Sequence, residues 1–219
     1  MKYDRYIDNR VLQSCIRPQL PKWCGPTTIS EIIHILLKKI ICPHEVARLM
    51  NWDPQEVIKG MGTSMVLKGL SVVSKNAIKS QIIDIESYNK GSLWNLIKNI
   101  MLKTNDLLYL HEQGHHVLIC GFIEEPIITP ESFKAGIDCS VSNPYDLPSS
   151  LSHPNDNSPK TKKTWSEIKR ILINAEHNIK EPEKGLGSIL KERDFETVNL
   201  ELRKNNHRLH LVRIFKAPT

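Results

Sequence analysis

Aromatic residues are scarce in this chain, 6% of positions with only four Phe and four Trp, so a core has to be assembled mainly from Ile, Leu and Val. Long apolar runs are missing as well. No stretch approaches the ~18 uninterrupted apolar residues of a membrane span, which argues against a membrane partner. The opening residues, Met-Lys-Tyr-Asp-Arg-Tyr-Ile-Asp-Asn-Arg, carry charges of both signs and no apolar central region, unlike a secretory signal. The five cysteines are odd in number and irregular in spacing, so they supply no disulfide framework. There is no internal repeat. These absences lead to the expectation of a reducing, cytoplasmic setting, in which Cys15, Cys42, Cys120 and Cys139 are small packed thiols.

What remains is an ordinary globular balance. A length of 219 residues with 40% hydrophobic and 25% charged positions fits one domain with one core. The net charge of +6 is concentrated around Lys160, Lys162 and Lys163, and again around Arg203, Lys204, Arg208 and the neighbouring histidines. A nucleic-acid reader needs aromatic platforms among such charges. None interleave here, so the basic residues read as a solvated face and no nucleic-acid partner is expected.

Apolar periodicity divides the chain in two. A helix is predicted over 26–39, with Ile29, Ile32, Ile33, Leu36 and Leu37 on one face and Pro26 in the first turn, where its missing amide costs nothing. Shorter helical patterns cover 43–51 and the segment from Thr63 through Ser74. A strand is expected over 80–85, then a helix capped by Ser92 and carrying Leu93, Leu96, Ile97, Ile100 and Met101. Strands of one antiparallel sheet follow over 106–110, 116–123 and 137–141. Helices over 165–177 and 186–193 and a closing strand over 208–215 complete the reading. The segments 124–136 and 145–164, rich in Pro and polar residues, read as insertions, the second a loop beside the cleft. The expected class is therefore α+β in a single domain, with a helical part over about 1–104 and a sheet part over about 105–219.

Two motifs carry chemistry. Lys22-Trp23-Cys24-Gly25-Pro26-Thr27-Thr28 opens the first long helix and places Cys24 at its N-terminus, where unpaired amides and the macrodipole favour a thiolate. Gly114-His115-His116-Val117-Leu118-Ile119-Cys120-Gly121-Phe122 sets a histidine at the mouth of a buried strand. A thiol acting as nucleophile at neutral pH needs such a helix end and a nearby base. Asn143, in Ser142-Asn143-Pro144, follows another strand-like run and is placed to orient the imidazole.

A competing pattern, His111-Glu112-Gln113-Gly114-His115, matches the His-Glu-x-x-His motif of zinc metallopeptidases. That chemistry requires a helix, because only helical i, i+4 spacing aims both imidazoles at one metal. Flanking Leu107-Leu108-Tyr109-Leu110 and Val117-Leu118-Ile119-Cys120 are β-like, and Gly114 reads as a turn. The segment is thus expected to be a hairpin, with His111 an ordinary strand-end residue, His116 on the face opposite His115, and no metal.

The order Cys, His, Asn in these surroundings resembles the papain-like cysteine peptidases, and their C39-like branch most closely. Trp23-Cys24-Gly25-Pro26-Thr27 is similar to the family's nucleophile motif, Gly60-Met61-Gly62-Thr63-Ser64 to the segment that starts its next helix, and Gly114-His115-His116-Val117 with Gly121-Phe122 to its His strand. Trp165-Ser166-Glu167-Ile168 is similar to the helix that often follows the Asn or Asp. The resemblance implies a papain-like fold, with the nucleophile helix packed on an antiparallel sheet, and a Cys24-His115-Asn143 triad. It also implies an oxyanion hole of the Cys24 amide and Gln19, although Gln19 lies five residues before the cysteine where the family usually has six. The implied activity is cysteine peptidase or amidohydrolase chemistry on a peptide or protein substrate, without a cofactor, with Gly25 allowing the substrate backbone to approach. The alternatives are a papain-like acyltransferase or transamidase and a catalytically inactive peptide-binding module.

Overall fold

The computed structural model describes residues 4–14, 22–53, 60–112, 115–126, 167–174, 190–205 and 210–218. The chain opens with strand β1 (Asp4–Ile7) and a short helix α1 (Asn9–Ser14), neither of which the sequence pattern announces. Asp8 explains the turn between them. Its Oδ1 accepts from the amides of Arg10 and Val11, and its Oδ2 receives Arg10 Nη2 at 2.6 Å. The buried carboxylate is thereby both a helix cap and half of an ion pair.

Helix α2 (Cys24–Leu37) is the predicted long helix. Its apolar stripe is buried, but so are Thr27, Thr28, Ser30 and Glu31, so the helix is covered around almost its whole circumference. Helices α3 (Pro43–Leu49) and α4 (Thr63–Val73) pack beside it as expected. Strand β2 (Ile78–Ile82) and a single 3₁₀ turn (Ile85–Ser87) lead into α5 (Lys90–Lys103). The cap of α5 is Asn89, whose Oδ1 accepts from the Ser92 amide at 2.8 Å, rather than Ser92 itself.

Strands β3 (Leu107–Glu112) and β4 (His115–Pro126) are antiparallel neighbours. Beyond them come β5 (Glu167–Asn174), β6 (Leu190–Asp194), α6 (Phe195–Lys204) and β7 (His210–Lys216). The sheet runs β2-β7-β3-β4-β5-β6, with every pairing antiparallel, and β1 adds alongside β4.

Two apolar layers cover this sheet. On one face Tyr109, Leu118, Cys120, Val212 and Ile214 meet α2, α3 and α4. On the other Leu108, Leu110, Val117, Ile119 and Ile173 meet α5 and α6. Residues 107 to 111 of β3 are consequently all buried, and a strand covered on both faces loses the alternation of a half-exposed one. Burial of each such Leu or Ile contributes about 1.5–3 kcal/mol.

The described residues are thus α+β, an antiparallel sheet with helices on both faces. Two parts of the sequence reading need correction. Part of the helix expected over 165–177 is strand β5. Its Ile168, Ile171 and Leu172 imitate helical spacing, but pairing with β4 on one side and β6 on the other overrides it. The helix expected over 186–193 gives way to β6 in its described part, and α6 begins only at Phe195. The cap of α6 is Asp194, whose Oδ2 accepts from the Thr197 amide at 2.8 Å. The strand expected over 137–141, the loop over 145–164 and all but the first residues of the segment 124–136 lie outside the described residues.

Arg203, from the second basic cluster, is a structural tie: its Nε donates to Asn199 Oδ1 and its Nη2 to the Tyr88 carbonyl. Among the described residues no helix is long and apolar enough to cross a membrane.

Strand β4 carries two partners on one edge, β3 along His115–Leu118 and β1 along Gly121–Glu124. At Gly121 the crossing is so close that an added Cβ would collide with the Tyr6 carbonyl oxygen and lie 2.9 Å from Leu172 Cδ1. Gly121→Ala should therefore cost about 1–3 kcal/mol of stability, measured as a lower urea midpoint. An unchanged midpoint would mean that β1 is not held against Gly121.

Candidate active site

Cys24 is the first residue of α2 and follows a turn in which Lys22 adopts a left-handed φ of 70°. The backbone amides of His116, Gly25 and Cys24 itself lie near the sulfur and favour its charged form. Four residues on, Thr28 Oγ1 donates to the His116 carbonyl at 3.2 Å. The first turn of α2 therefore meets the His116 backbone, on the edge of β4 that β5 reaches only from Ile119 onward. A helix end here occupies the place of a strand.

The thiol is 6% exposed. Burial pushes it up, and the three amide donors offset this only in part. The amides act in the direction expected for a helix end, but desolvation is the larger effect. The net direction is upward, against the thiolate that a helix end favours.

The two candidate imidazoles part company at this point. Alternation along β4 puts His116 with Leu118 and Cys120, facing α2, and His115 with Val117 and Ile119, facing the other layer. The sulfur abuts the peptide that joins them. His116 is 2% exposed and both of its ring nitrogens are engaged. Nε2 lies 2.7 Å from the Met61 carbonyl oxygen, which can only accept, so Nε2 carries the hydrogen. Nδ1 is then the acceptor, and the Tyr109 hydroxyl donates to it. Burial, reinforced by the neighbouring His111, pushes His116 down to about 3. His115 is half-buried and also lowered, first by burial and then by Lys191 on β6.

Behind His116 lies a row of imidazoles that the sequence did not bring together. Register pairs His210 with His111 and His111 with His116, one residue from each of β7, β3 and β4. The His111 and His116 rings stack at 4.5 Å. This closeness is expected of a pair whose backbone groups point away from each other, as those of His116 point to Cys24 and Thr28. Thr63 Oγ1, at the start of α4, contacts His111 Nδ1 at 2.8 Å and His210 Nδ1 at 3.0 Å. A hydroxyl has one hydrogen to give, so at least one of these imidazoles donates through Nδ1. The only sequence signal for the row was the β-like surroundings of His111; His210 had been read within a basic surface cluster.

Two further groups flank the thiol. Met61 is buried against Gly25, where an added Cβ would meet its Sδ at 2.6 Å. The space that glycine was expected to leave for a substrate backbone is filled by that side chain. Trp23 packs tilted on His44 at 4.3 Å and edge-on to Trp52 at 5.8 Å.

Of the four residues expected at the site, Cys24 lies beside the His116 backbone, while the His115 ring faces the other layer and is not brought to the thiol. Gln19 and Asn143 lie outside the described residues. The His-Glu-x-x-His segment spans the end of β3 and the start of β4. Its two histidines sit on separate strands and opposite faces, which removes the helical geometry the zinc reading requires. Among the described residues no group of three His, Cys, Asp or Glu is placed to hold a metal ion.

The buried histidines make stability depend on pH. Between the ordinary imidazole value and about 3, the unfolded chain holds a proton at position 116 that the folded chain lacks. Stability should therefore fall as pH falls through this window, by up to about 1.4 kcal/mol per pH unit from His116 alone. His115 and His210, both lowered by burial, act in the same direction. Urea midpoints taken from about pH 7 down to about pH 5 should decline, and His116→Gln should flatten the profile. A flat wild-type profile would contradict a buried neutral His116.

No protein-family model matches the chain, and a search of curated proteins finds no match either.

Proposed function

We propose that this chain is a cysteine hydrolase of the papain-like, C39-like kind, cleaving peptide or amide bonds through an acyl-enzyme. The observation that carries the reading is the seating of Cys24 against the peptide between His115 and His116, at a helix end beside a buried strand. His116 is a poor base, because both of its nitrogens are committed. The register of the Gly-His motif leaves His115 as the base; its ring faces the layer away from α2, so taking the thiol proton requires that ring to turn about the start of β4 toward Cys24.

In the proposed reaction the neutral thiol gives its proton to His115 as the sulfur attacks the carbonyl carbon. The C=O electron pair moves onto oxygen, where the Cys24 amide and Gln19 receive it. The oxyanion collapses, the C–N bond breaks, and His115 returns the proton to the leaving amine. Asn143 orients the ring. Water, deprotonated by His115, then cleaves the thioester and frees the thiol. An incoming amine in place of water gives acyl transfer or transamidation on the same parts. No cofactor is needed, and the substrate class is a peptide or protein.

A second reading, an inactive peptide-binding module on the same scaffold, is favoured by one observation: the thiol is buried and raised rather than activated at rest.

Acylation by p-nitrophenyl acetate separates the two, with acetyl-cysteine located by peptide mass spectrometry. An enzyme should acetylate Cys24 faster than the exposed Cys42, and His115→Ala should slow Cys24 by about a hundredfold or more. Acetylation at Cys24 no faster than at Cys42, or indifferent to His115, would overturn the hydrolase reading in favour of the binding module.

A further inference from the structure

We propose that Met61 is a gate over the Cys24 site and that His116 is the positioning residue holding it shut, an inference that rests on Cys24 being the nucleophile. Four observations converge on the short segment 60–63. Met61 is 3% exposed and lies against Gly25, the residue after the nucleophile. Its carbonyl oxygen accepts from His116 Nε2 at 2.7 Å. The Tyr109 hydroxyl fixes the opposite edge of the same ring, so His116 is set at the angle this bond requires. One residue beyond Gly62, Thr63 is tied to His111 and His210.

The glycines on either side of Met61 complete the device. A Cβ added to Gly60 or Gly62 would meet nothing within 4 Å, so crowding does not demand glycine at either position. What the pair supplies is backbone freedom immediately before and after Met61. Thr63 anchors one end of the segment to the imidazole row, and the His116 bond secures its middle. Met61, packed in the core with Ile29 and Val66, fills the space beside Gly25, the side from which the gate has a carbonyl carbon approach the Cys24 sulfur. Opening the site means breaking the His116–Met61 bond and swinging Met61 about its glycines. Held this way, the buried neutral thiol is a latent nucleophile, exposed only when the segment moves.

The row of histidines then has a function that needs neither metal nor general-base chemistry. It is the fixture that positions the gate, with His116 acting on Cys24 access through Met61 rather than by touching a substrate.

The test compares Cys24 modification by a small and a bulky reagent, N-ethylmaleimide and fluorescein maleimide, with each rate divided by that of the exposed Cys42 in the same molecule. The readout is the bulky-to-small ratio at Cys24 in the full chain. Met61→Ala should raise the ratio by about fivefold or more, and His116→Ala by about fivefold, the shift expected from losing one neutral hydrogen bond. His116→Gln, whose side-chain amide still donates, should stay near wild type. A Met61→Ala protein of wild-type Tm with an unchanged ratio would overturn the gate. A His116→Gln protein behaving like His116→Ala would overturn the latch. His115→Ala should leave the ratio unaltered, so failure of the gate and failure of the hydrolase reading appear in different measurements.

Discussion

Everything at the candidate site depends on how the first turn of α2 meets β4. A strand that extends past one of its partners leaves backbone donors and acceptors exposed on that edge, and burying them unpaired is costly. Here the first turn of α2 meets that edge: Thr28 donates to the His116 C=O, and the Cys24 sulfur lies beside the His116 N–H. This contact fixes the depth at which α2 enters the sheet. The same contact accounts for the character of the thiol. A sulfur drawn this far into the protein gains amide donors and loses water, and the loss outweighs the gain.

The dense polar packing around His116 is then a necessity. Imidazoles buried beside a hydrophobic helix must be hydrogen-bonded, because an unsatisfied ring nitrogen costs as much as a good interaction gains. Tyr109, Met61 and Thr63 supply the partners for His116, His111 and His210. Each partner comes from an element that would otherwise have little reason to lie near α2. The polar network thus brings β7, β3 and the start of α4 to the same place, in a part of the core that apolar contacts alone would leave less specified.

Much of this arrangement was legible in the residues. The periodicity of Ile29, Ile32, Ile33 and Leu36 marks α2 unambiguously, and the β-like runs around Gly114 distinguish a strand pair from a metal-binding helix. The opposition of His115 and His116 follows from alternation alone. Other features were hidden for physical reasons. Strand β5 has apolar residues three and four apart, and only its two neighbours in the sheet decide against a helix. Asp194 is an Asp in the N-cap position, but the helix expected over 186–193 ends before it, so α6 was missed altogether. Strand β1 is four residues long and half charged, so nothing local marks it. The state of the Cys24 thiol was not readable at all, because it depends on the balance of burial against amide donors. The contacts of His111 and His210 depend on register between strands distant in sequence, which no local pattern encodes.

The position of β7 in the sheet has a consequence for the order of synthesis. It is the last of the described strands to leave the ribosome, yet it lies between β2 and β3, both made much earlier. Among the described strands β2 pairs only with β7, so it has no sheet to join until then. Its edge and that of β3 stay open, and Thr63 lacks one of its two imidazoles. Among the described strands, the layer that α2 packs on is therefore completed only once β7 has been made.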